Sequence, residues 1–138
     1  AGAPDGKMAE QLNEIQENLF VIGSLLAATG DRKPDFLPEF NEKAVNTLEE
    51  AIDEMEKQLT PMKYFILPGG HPDVSACHLA RCVCRRAERS LVRLHEAEDI
   101  NKALIIYLNR MSDYLFVLAR TIGHEHQVEE IPWKPREK

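Results

Sequence analysis

Five arginines lie close together in one segment of the chain, and side chains of this type suit the binding of an anion. They are Arg81, Arg85, Arg86, Arg89 and Arg93. Glu88 is the only acidic residue between the first and the last of them. On a helix, positions 81, 85, 88 and 89 share one side, where like charges cost roughly 0.2–0.5 kcal/mol per pair. A bound anion would offset this cost, because the guanidinium group pairs with phosphate through two parallel hydrogen bonds.

A sharp turn comes directly before the arginine segment. The apolar residues 65–67 end at Pro68, Gly69 and Gly70, where proline fixes φ and glycine permits a positive φ. Asp73 can then cap a helix that runs to about His95. The alternative to an anion site is a solvated or salt-bridged arginine surface, which is what most charge runs form.

A second polar cluster interrupts the very apolar segment 100–122. It consists of Asn109, Arg110 and Asp113, of which the first and third share a helical face. Buried polar groups without partners cost on the order of 1–3 kcal/mol each, so we expect the arginine surface of the preceding helix to supply partners. Two interpretations stay open at this point: a structural salt-bridge network between the helices, or a polar pocket between them.

Composition limits the class of protein. The 138 residues suffice for one domain with a core of its own, and 43% hydrophobic with 29% charged residues is ordinary for a globular chain. The net charge of −6 argues against a nucleic-acid or anionic-membrane binder. A local cationic site on an acidic protein suits a small anionic ligand. No apolar run approaches the ~20 residues that a membrane span needs.

Cysteine and histidine do not predict a metal site. Cys77, Cys82 and Cys84 lie on one predicted helix with His78, and no second ligand pair of the zinc-binding type follows. We interpret the cysteines as small core residues and His78, like His124 and His126, as solvent-facing. An odd number of cysteines on one helix indicates free thiols, so we expect a reducing, cytoplasmic location.

The elements that must position these residues are four helices and no sheet. Apolar residues at alternating spacings of three and four predict helices over residues 8–28, 39–59, 73–95 and 100–122. The predicted inner stripe of the third helix is Ala76, Ala80, Val83, Ala87, Leu91 and Leu94. The fourth helix is apolar nearly all round, which predicts burial on most sides, part of it against another subunit. The fold class is therefore all-α, an up-and-down bundle in a single domain over 1–138, with an extended tail from Gly123 onward.

Three motifs in a fixed order resemble the ATP:cob(I)alamin adenosyltransferases of the PduO type. They are FILPGG at 65–70, RxxxRRAER at 81–89 and LNRxSDYLFxLAR at 108–120. The resemblance extends from about Leu12 to Arg120 and includes an LExxID segment at 48–53. It implies a five-helix bundle that assembles as a homotrimer and binds ATP between subunits. It also implies transfer of the 5′-deoxyadenosyl group of ATP to the cobalt of cob(I)alamin, with Mg²⁺ on the phosphates and triphosphate released.

The resemblance also implies roles for particular residues. Those expected at the nucleotide are Arg85, Arg86, Glu88, Arg89 and Asn109. Arg81 is expected in a salt bridge near the corrinoid, Asp113 is expected to orient neighbouring arginines, and Phe65 is expected to keep the lower face of the corrin free of a ligand. Without the resemblance, a phenylalanine such as Phe65 is more often a core residue than a platform for a ligand. Arg81, Arg85 and Phe65 are the candidate catalytic residues, and no protein metal ligand is predicted.

One part of the family pattern does not occur in this sequence. The family's glycine-rich TKTGDxG-type loop and the first helix with a VDELN-like motif are missing, so we expect four of the five bundle helices and an incomplete phosphate grip. The carboxylate expected opposite Arg81 belongs to that segment. Two other interpretations compete: an interaction protein whose arginine surface docks an acidic partner, and a non-catalytic corrinoid or nucleotide carrier. Handover of product to an adenosylcobalamin-dependent mutase is a further expectation.

Overall fold

The computed structural model describes residues 6–28, 39–60 and 70–126 of the chain. Within these ranges the protein forms four helices and no strand: α1 (Gly6–Ala27), α2 (Lys43–Glu56), α3 (Pro72–Ala97) and α4 (Lys102–Glu125). The all-α prediction is confirmed. Phe65, most of the FILPGG motif and the tail from residue 127 onward lie outside the described residues. No described helix combines the length and the hydropathy that a transmembrane span requires.

The chain divides into two compact units, residues 1–44 and 45–138. The first unit contains α1, which buries Met8, Ile15 and Ile22. The second unit contains nearly all of α2 together with α3 and α4. Every candidate site residue that the structure describes belongs to this second unit.

Side-chain caps fix the starts of the two long helices. His71, and not the predicted Asp73, caps α3: its Nδ1 accepts a hydrogen bond from the backbone N–H of Asp73 at 3.1 Å. Pro72 follows in the first turn, where the absence of an N–H costs nothing. Gly70, just before the cap, has a φ of 93°, which glycine adopts without strain. Asn101 caps α4 in the same way, accepting from Ala103 N–H at 3.0 Å.

The helix α4 supplies most of the core of the second unit. Tyr107, Tyr114 and Ala119 have no exposed surface, and Leu118 is 2% exposed. Burying a large side chain of this kind stabilises the fold by about 1.5–3 kcal/mol. The prediction that α4 is buried on most sides is confirmed. The predicted extended tail is wrong at its start, because Gly123 is buried inside the last turns of α4.

The two long helices pack against each other antiparallel. His71 at the start of α3 contacts His126 at the end of α4, while Cys84 in the middle of α3 bonds to Leu108 early in α4. The Cys84 thiol donates to the Leu108 carbonyl at 3.1 Å. This packing brings the arginine segment of α3 alongside the polar cluster of α4.

The predicted inner stripe of α3 is wrong over most of its length. Its alanines and Val83 are exposed, Leu94 is half-buried, and only Leu91 is buried. The buried side of α3 instead consists of Val74, Cys77, His78, Cys84 and Leu91. These positions also recur at spacings of three, four and seven, so the period was right and the face was rotated. His78 is therefore a buried residue and not the solvent-facing one predicted.

Candidate functional site

A cavity of about 550 Å³ opens where α2, α3 and α4 meet in the second unit. From α3 it is lined by Arg81 and Arg85, one turn apart on the same side of the helix. From α4 it is lined by Arg110, Ser112, Asp113, Phe116 and Val117. A volume of this size lies within the range of small-molecule and cofactor sites.

The wall that α2 contributes is acidic. Glu49, Asp53 and Glu56 line the cavity from this side, together with Ile52. Spacings of three and four residues place these four side chains on one face of the helix. The cavity therefore has a cationic wall on α3 and an acidic wall on α2, which suits a ligand or ligand pair of mixed charge better than a bare anion.

Arg110 connects the acidic wall to α4. Its Nη1 donates to Asp113 Oδ2 at 2.8 Å, and its Nε lies 3.2 Å from Glu49 Oε1. The second contact is an ion pair by distance but is not aligned as a hydrogen bond. Because the three side chains are 39–52% exposed, these pairs contribute little to stability and serve mainly to orient the groups.

Among the residues that the structure describes, Arg81 contacts an aromatic ring and no carboxylate. Its Cζ lies 5.0 Å from the centroid of the Phe116 ring, a cation–π contact. Its Nε is buried and has no hydrogen-bond partner among the described residues. A buried, unpaired N–H costs about 1–3 kcal/mol, which a ligand or a residue from elsewhere would recover.

His78 packs on the same ring from another side. The imidazole of His78 and the Phe116 ring meet edge to face, with centroids 6.0 Å apart. Burial lowers the pKa of His78, and the nearby positive charge of Arg81 lowers it further. A neutral imidazole results, which avoids a second positive charge beside the Arg81 guanidinium.

Glu88 and Asn109 form a polar pair next to the cavity. Asn109 Nδ2 donates to Glu88 Oε2 at 3.1 Å, linking α4 to α3 one turn beyond Arg85. The expectation that α3 arginines partner the polar cluster is wrong for these contacts, since Asn109 bonds to Glu88 and Arg110 pairs with Glu49 and Asp113. Asn109 and Asp113 are also exposed and not buried, because they face the open side of α4.

The predicted site residues fall into three groups. Arg81, Arg85 and Asp113 line the cavity, and Glu88 and Asn109 pair beside it. Arg86 and Arg89 are exposed, do not line the cavity, and make no ion pair among the described residues. Phe65 lies outside the described residues. Asp113 orients Arg110 of its own helix at 2.8 Å.

The side chains that pack around Arg81 had no role in the sequence-based prediction. Phe116 supports Arg81, and His78 packs against Phe116. Phe116 follows Asp113 by three residues and Asn109 by seven, so helical spacing already placed it on the polar face of α4. For His78 no such signal existed, because helical spacing alone does not reveal which face of α3 packs on α4.

Comparison with known proteins identifies the family of the chain. The family model described as cobalamin adenosyltransferase matches residues 2–122. The corrinoid adenosyltransferase of Bacillus subtilis is 37% identical over 127 residues, which cover 92% of this chain and 64% of that protein. The corrinoid adenosyltransferase MMAB of Mus musculus is 40% identical over 129 residues, covering 91% and 54%. The chain thus spans roughly half to two thirds of the length of these relatives.

Solved structures agree with the sequence comparison. A variant of the PduO-type ATP:corrinoid adenosyltransferase from Lactobacillus reuteri, complexed with cobalamin and ATP, matches with a TM-score of 0.82 and 35% identity. The match covers 94% of this chain and 72% of that one. Another variant of the same enzyme, complexed with ATP, matches with a TM-score of 0.80 and 38% identity.

Proposed function

Because the chain belongs to the cobalamin adenosyltransferase family, we propose that it transfers the 5′-deoxyadenosyl group of ATP to the cobalt of cob(I)alamin. The cobalt(I) electron pair forms a bond to C5′ of ATP, the C5′–O bond breaks, and triphosphate leaves with those electrons. The products are adenosylcobalamin and triphosphate. The observation that carries this proposal is the cavity in which Arg81 and Arg85 face the Asp113 side of α4.

In this proposal the arginines act on the leaving group. Negative charge collects on the triphosphate as the C5′–O bond breaks, and fixed guanidinium groups stabilise that charge without reorganising. Arg85 lines the cavity and is the residue that we assign to the phosphates. Glu88 and Asn109, bonded at 3.1 Å, present an amide and a carboxylate to the nucleotide. The protein otherwise contributes position, since the reaction requires cobalt in line with the breaking bond.

Arg81 and its aromatic support belong to the corrinoid side of the proposed site. The Phe116 ring holds the guanidinium at the cavity wall, and the unpaired Nε is available to a further carboxylate or amide. Corrinoids carry amide side chains, which are acceptors for such a donor. We also propose that Phe65 excludes a ligand from the lower face of the corrin.

Mg²⁺ on the phosphates is part of the proposal, and the donors of the cavity fit it. This cation prefers oxygen ligands and usually binds through one or two carboxylates together with substrate phosphates. The acidic wall of α2, at Glu49, Asp53 and Glu56, supplies such carboxylates. When bound, Mg²⁺ would neutralise negative charge on the phosphates, which these carboxylates would otherwise repel.

We also propose a homotrimer with ATP between subunits. The outward side of α3 is exposed at Leu79 and Val83, 69% and 59% respectively, and carries Arg86 and Arg89. A neighbouring subunit would cover these apolar residues and give Arg86 and Arg89 access to a nucleotide. We further propose that residues 1–138 form a single domain and that the protein is cytoplasmic. We also propose that it hands its product to an adenosylcobalamin-dependent mutase. The family match across both units supports the single domain.

The test is an anaerobic assay with ATP, Mg²⁺ and chemically reduced cobalamin, in which the product is recognised by its light sensitivity. We expect product with the unchanged protein and a loss of about 10²-fold in rate with Arg85→Ala, as for removal of other transition-state charge contacts. Arg93→Ala, on the same helix but outside the cavity, is the matched control and should retain the rate. Equal rates for the two variants, or no product from the unchanged protein, would refute the assignment. A docking protein would instead show salt-dependent binding to an acidic partner and indifference to ATP.

A further inference from the structure

A cluster of three metal-ligating side chains lies where α3 begins and α4 ends. The rings of His71 and His126 are stacked, with centroids 4.2 Å apart and planes inclined by 15°. Asp73, in the first turn of α3, places Oδ2 4.0 Å from His71 Nδ1. None of these residues lines the cavity described above. The adenosyl transfer proposed above gives this cluster no role.

The donor atoms are close enough for one cation. One nitrogen from each imidazole and one carboxylate oxygen all lie within 4.8 Å of one another. Zinc-type metals bind nitrogen and oxygen at about 2.0–2.2 Å, so ligand atoms around a bound ion lie roughly 3–3.5 Å apart. The cluster must therefore contract by about 1 Å, and its side chains are exposed enough to rotate.

We propose that His71, Asp73 and His126 form a binding site for a divalent transition metal of the zinc, cobalt or nickel class. Two imidazoles and one carboxylate are a donor set for these ions, whereas Mg²⁺ prefers oxygen ligands. Water completes the coordination. Since the ligands come from both ends of the α3–α4 pair, the ion ties the end of α4 to the start of α3. This proposal does not depend on the adenosyltransferase activity.

Binding of a metal requires two rearrangements of these side chains. His71 Nδ1 accepts the capping hydrogen bond from Asp73 N–H, and a neutral imidazole has only one lone pair. A metal at Nδ1 therefore replaces the cap. The stack must also open, because lone pairs lie in the ring planes and parallel rings cannot both point at one ion. The exposed His126 is the ring free to turn.

The dipoles of the two helices do not disfavour binding of a cation at this site. The start of α3 carries partial positive charge and the end of α4 carries partial negative charge, so the two contributions offset each other. The Asp73 carboxylate then makes the site attractive to a divalent ion. These charges distinguish the site from an ordinary helix N-terminus, which favours anions.

The experiment is a calorimetric titration of untagged, metal-free protein with ZnCl₂, in a Cys82→Ser background that removes the exposed thiol as a competing ligand. We expect one ion per chain and at least a tenfold loss of affinity in His126→Ala. His71→Asn should show the same loss while leaving the melting temperature without metal nearly unchanged, because asparagine retains a capping oxygen. CoCl₂ provides an independent readout, since a protein-bound Co²⁺ absorbs visible light.

His124→Ala is the matched control, because His124 is exposed, lies two residues from His126 and is not part of the cluster. We expect it to bind zinc as tightly as the parent. Zinc at a hundred times the parent's dissociation constant should raise the melting temperature of the parent and of His124→Ala by the same amount, and that of His126→Ala by less. Unchanged affinity in His126→Ala, equal losses in His124→Ala, or fewer than one ion per chain would each overturn the proposal.

Discussion

The two sides of α3 follow different physical rules. The side that faces α4 is sealed: Cys77, His78 and Cys84 are each less than 10% exposed, and Leu91 closes the stripe. The opposite side leaves Leu79 and Val83 in the open. Packing on α4 explains why the residues of the first side are buried. It does not cover the apolar residues of the second side, and this exposure is why we propose that a neighbouring subunit covers them.

The sealed side keeps its polar groups neutral. Burial raises the pKa of Cys84 to about 11, with Glu88 and Asp113 contributing, and burial with the help of Asp73 raises that of Cys77. Burial lowers the pKa of His78. Thiols and an imidazole therefore pack as small neutral residues. The arginines of α3 lie elsewhere: Arg81 and Arg85 at the edge of the cavity, and the others on the open side.

The largest expected difference between the two sides is in stability. We expect Leu91→Ala to lower the free energy of unfolding by about 2–5 kcal/mol, because it leaves a cavity in the core. Val83→Ala, which removes less side chain and from an exposed position, should change it by no more than about 0.5 kcal/mol. Urea denaturation of both variants at low protein concentration measures the contrast.

Protein concentration sharpens this test. If a neighbouring subunit covers the open side, as in the proposed trimer, Val83→Ala should become destabilising as the concentration rises, while the cost of Leu91→Ala should stay the same. Similar losses for the two variants at every concentration would contradict the distinction between the sides.

Thiol chemistry offers the next contrast. At pH 8 we expect the exposed Cys82 to react with a thiol reagent at least a hundredfold faster than Cys84, because reaction needs a thiolate and access. Cys82→Ser should remove the fast phase alone. Comparable rates for two or three thiols would show that α3 does not stay packed on α4.

Alkaline pH should weaken the packing of α3 on α4 around Cys84. The raised pKa of Cys84 means that the folded protein holds this proton more tightly than the unfolded chain does. The resulting stabilisation is complete below the ordinary pKa of 9.0 and is lost as pH rises through about 11. Urea denaturation at pH 8 and pH 10 should show a larger loss in the unchanged protein than in Cys84→Ala, which keeps only the contribution of Cys77.

A smaller effect is expected at the edge between the two sides. Phe116→Leu keeps an apolar side chain but removes the ring on which the Arg81 guanidinium rests. A cation–π contact is worth about 0.5–1 kcal/mol, so we expect corrinoid binding to weaken roughly two- to fivefold. Absorbance titration with cobalamin measures it, and Phe20→Leu, at an exposed phenylalanine of α1, is the control. Equal affinities would show that the ring does not position Arg81.

The helices could be predicted because their causes are local. Periodic apolar residues predicted four helices to within a few residues, except that α2 is shorter than expected and begins at Lys43. The buried face of α3 could not be predicted in the same way. Alanine stripes and a stripe of cysteine, histidine and leucine have the same period, and only the position of α4 decides between them.

The site was predicted at the level of elements and less well at the level of contacts. Helical spacing placed Arg81 and Arg85 on one face, and the structure puts both at one cavity. Spacing does not reveal which partner a side chain selects across helices. Asn109 therefore bonds to Glu88 where an arginine was expected, and the Phe116 contact of Arg81 was not anticipated.

The central claim is that the cavity edge of α3 binds nucleotide phosphates through Arg85. Calorimetric titration with MgATP tests it most directly, comparing the unchanged protein with Arg85→Ala and with Arg93→Ala. A charge-assisted hydrogen bond contributes about 1.5–3 kcal/mol, so we expect at least a tenfold weaker affinity in Arg85→Ala and none of this loss in Arg93→Ala. Equal ATP affinity in both variants would contradict the claim.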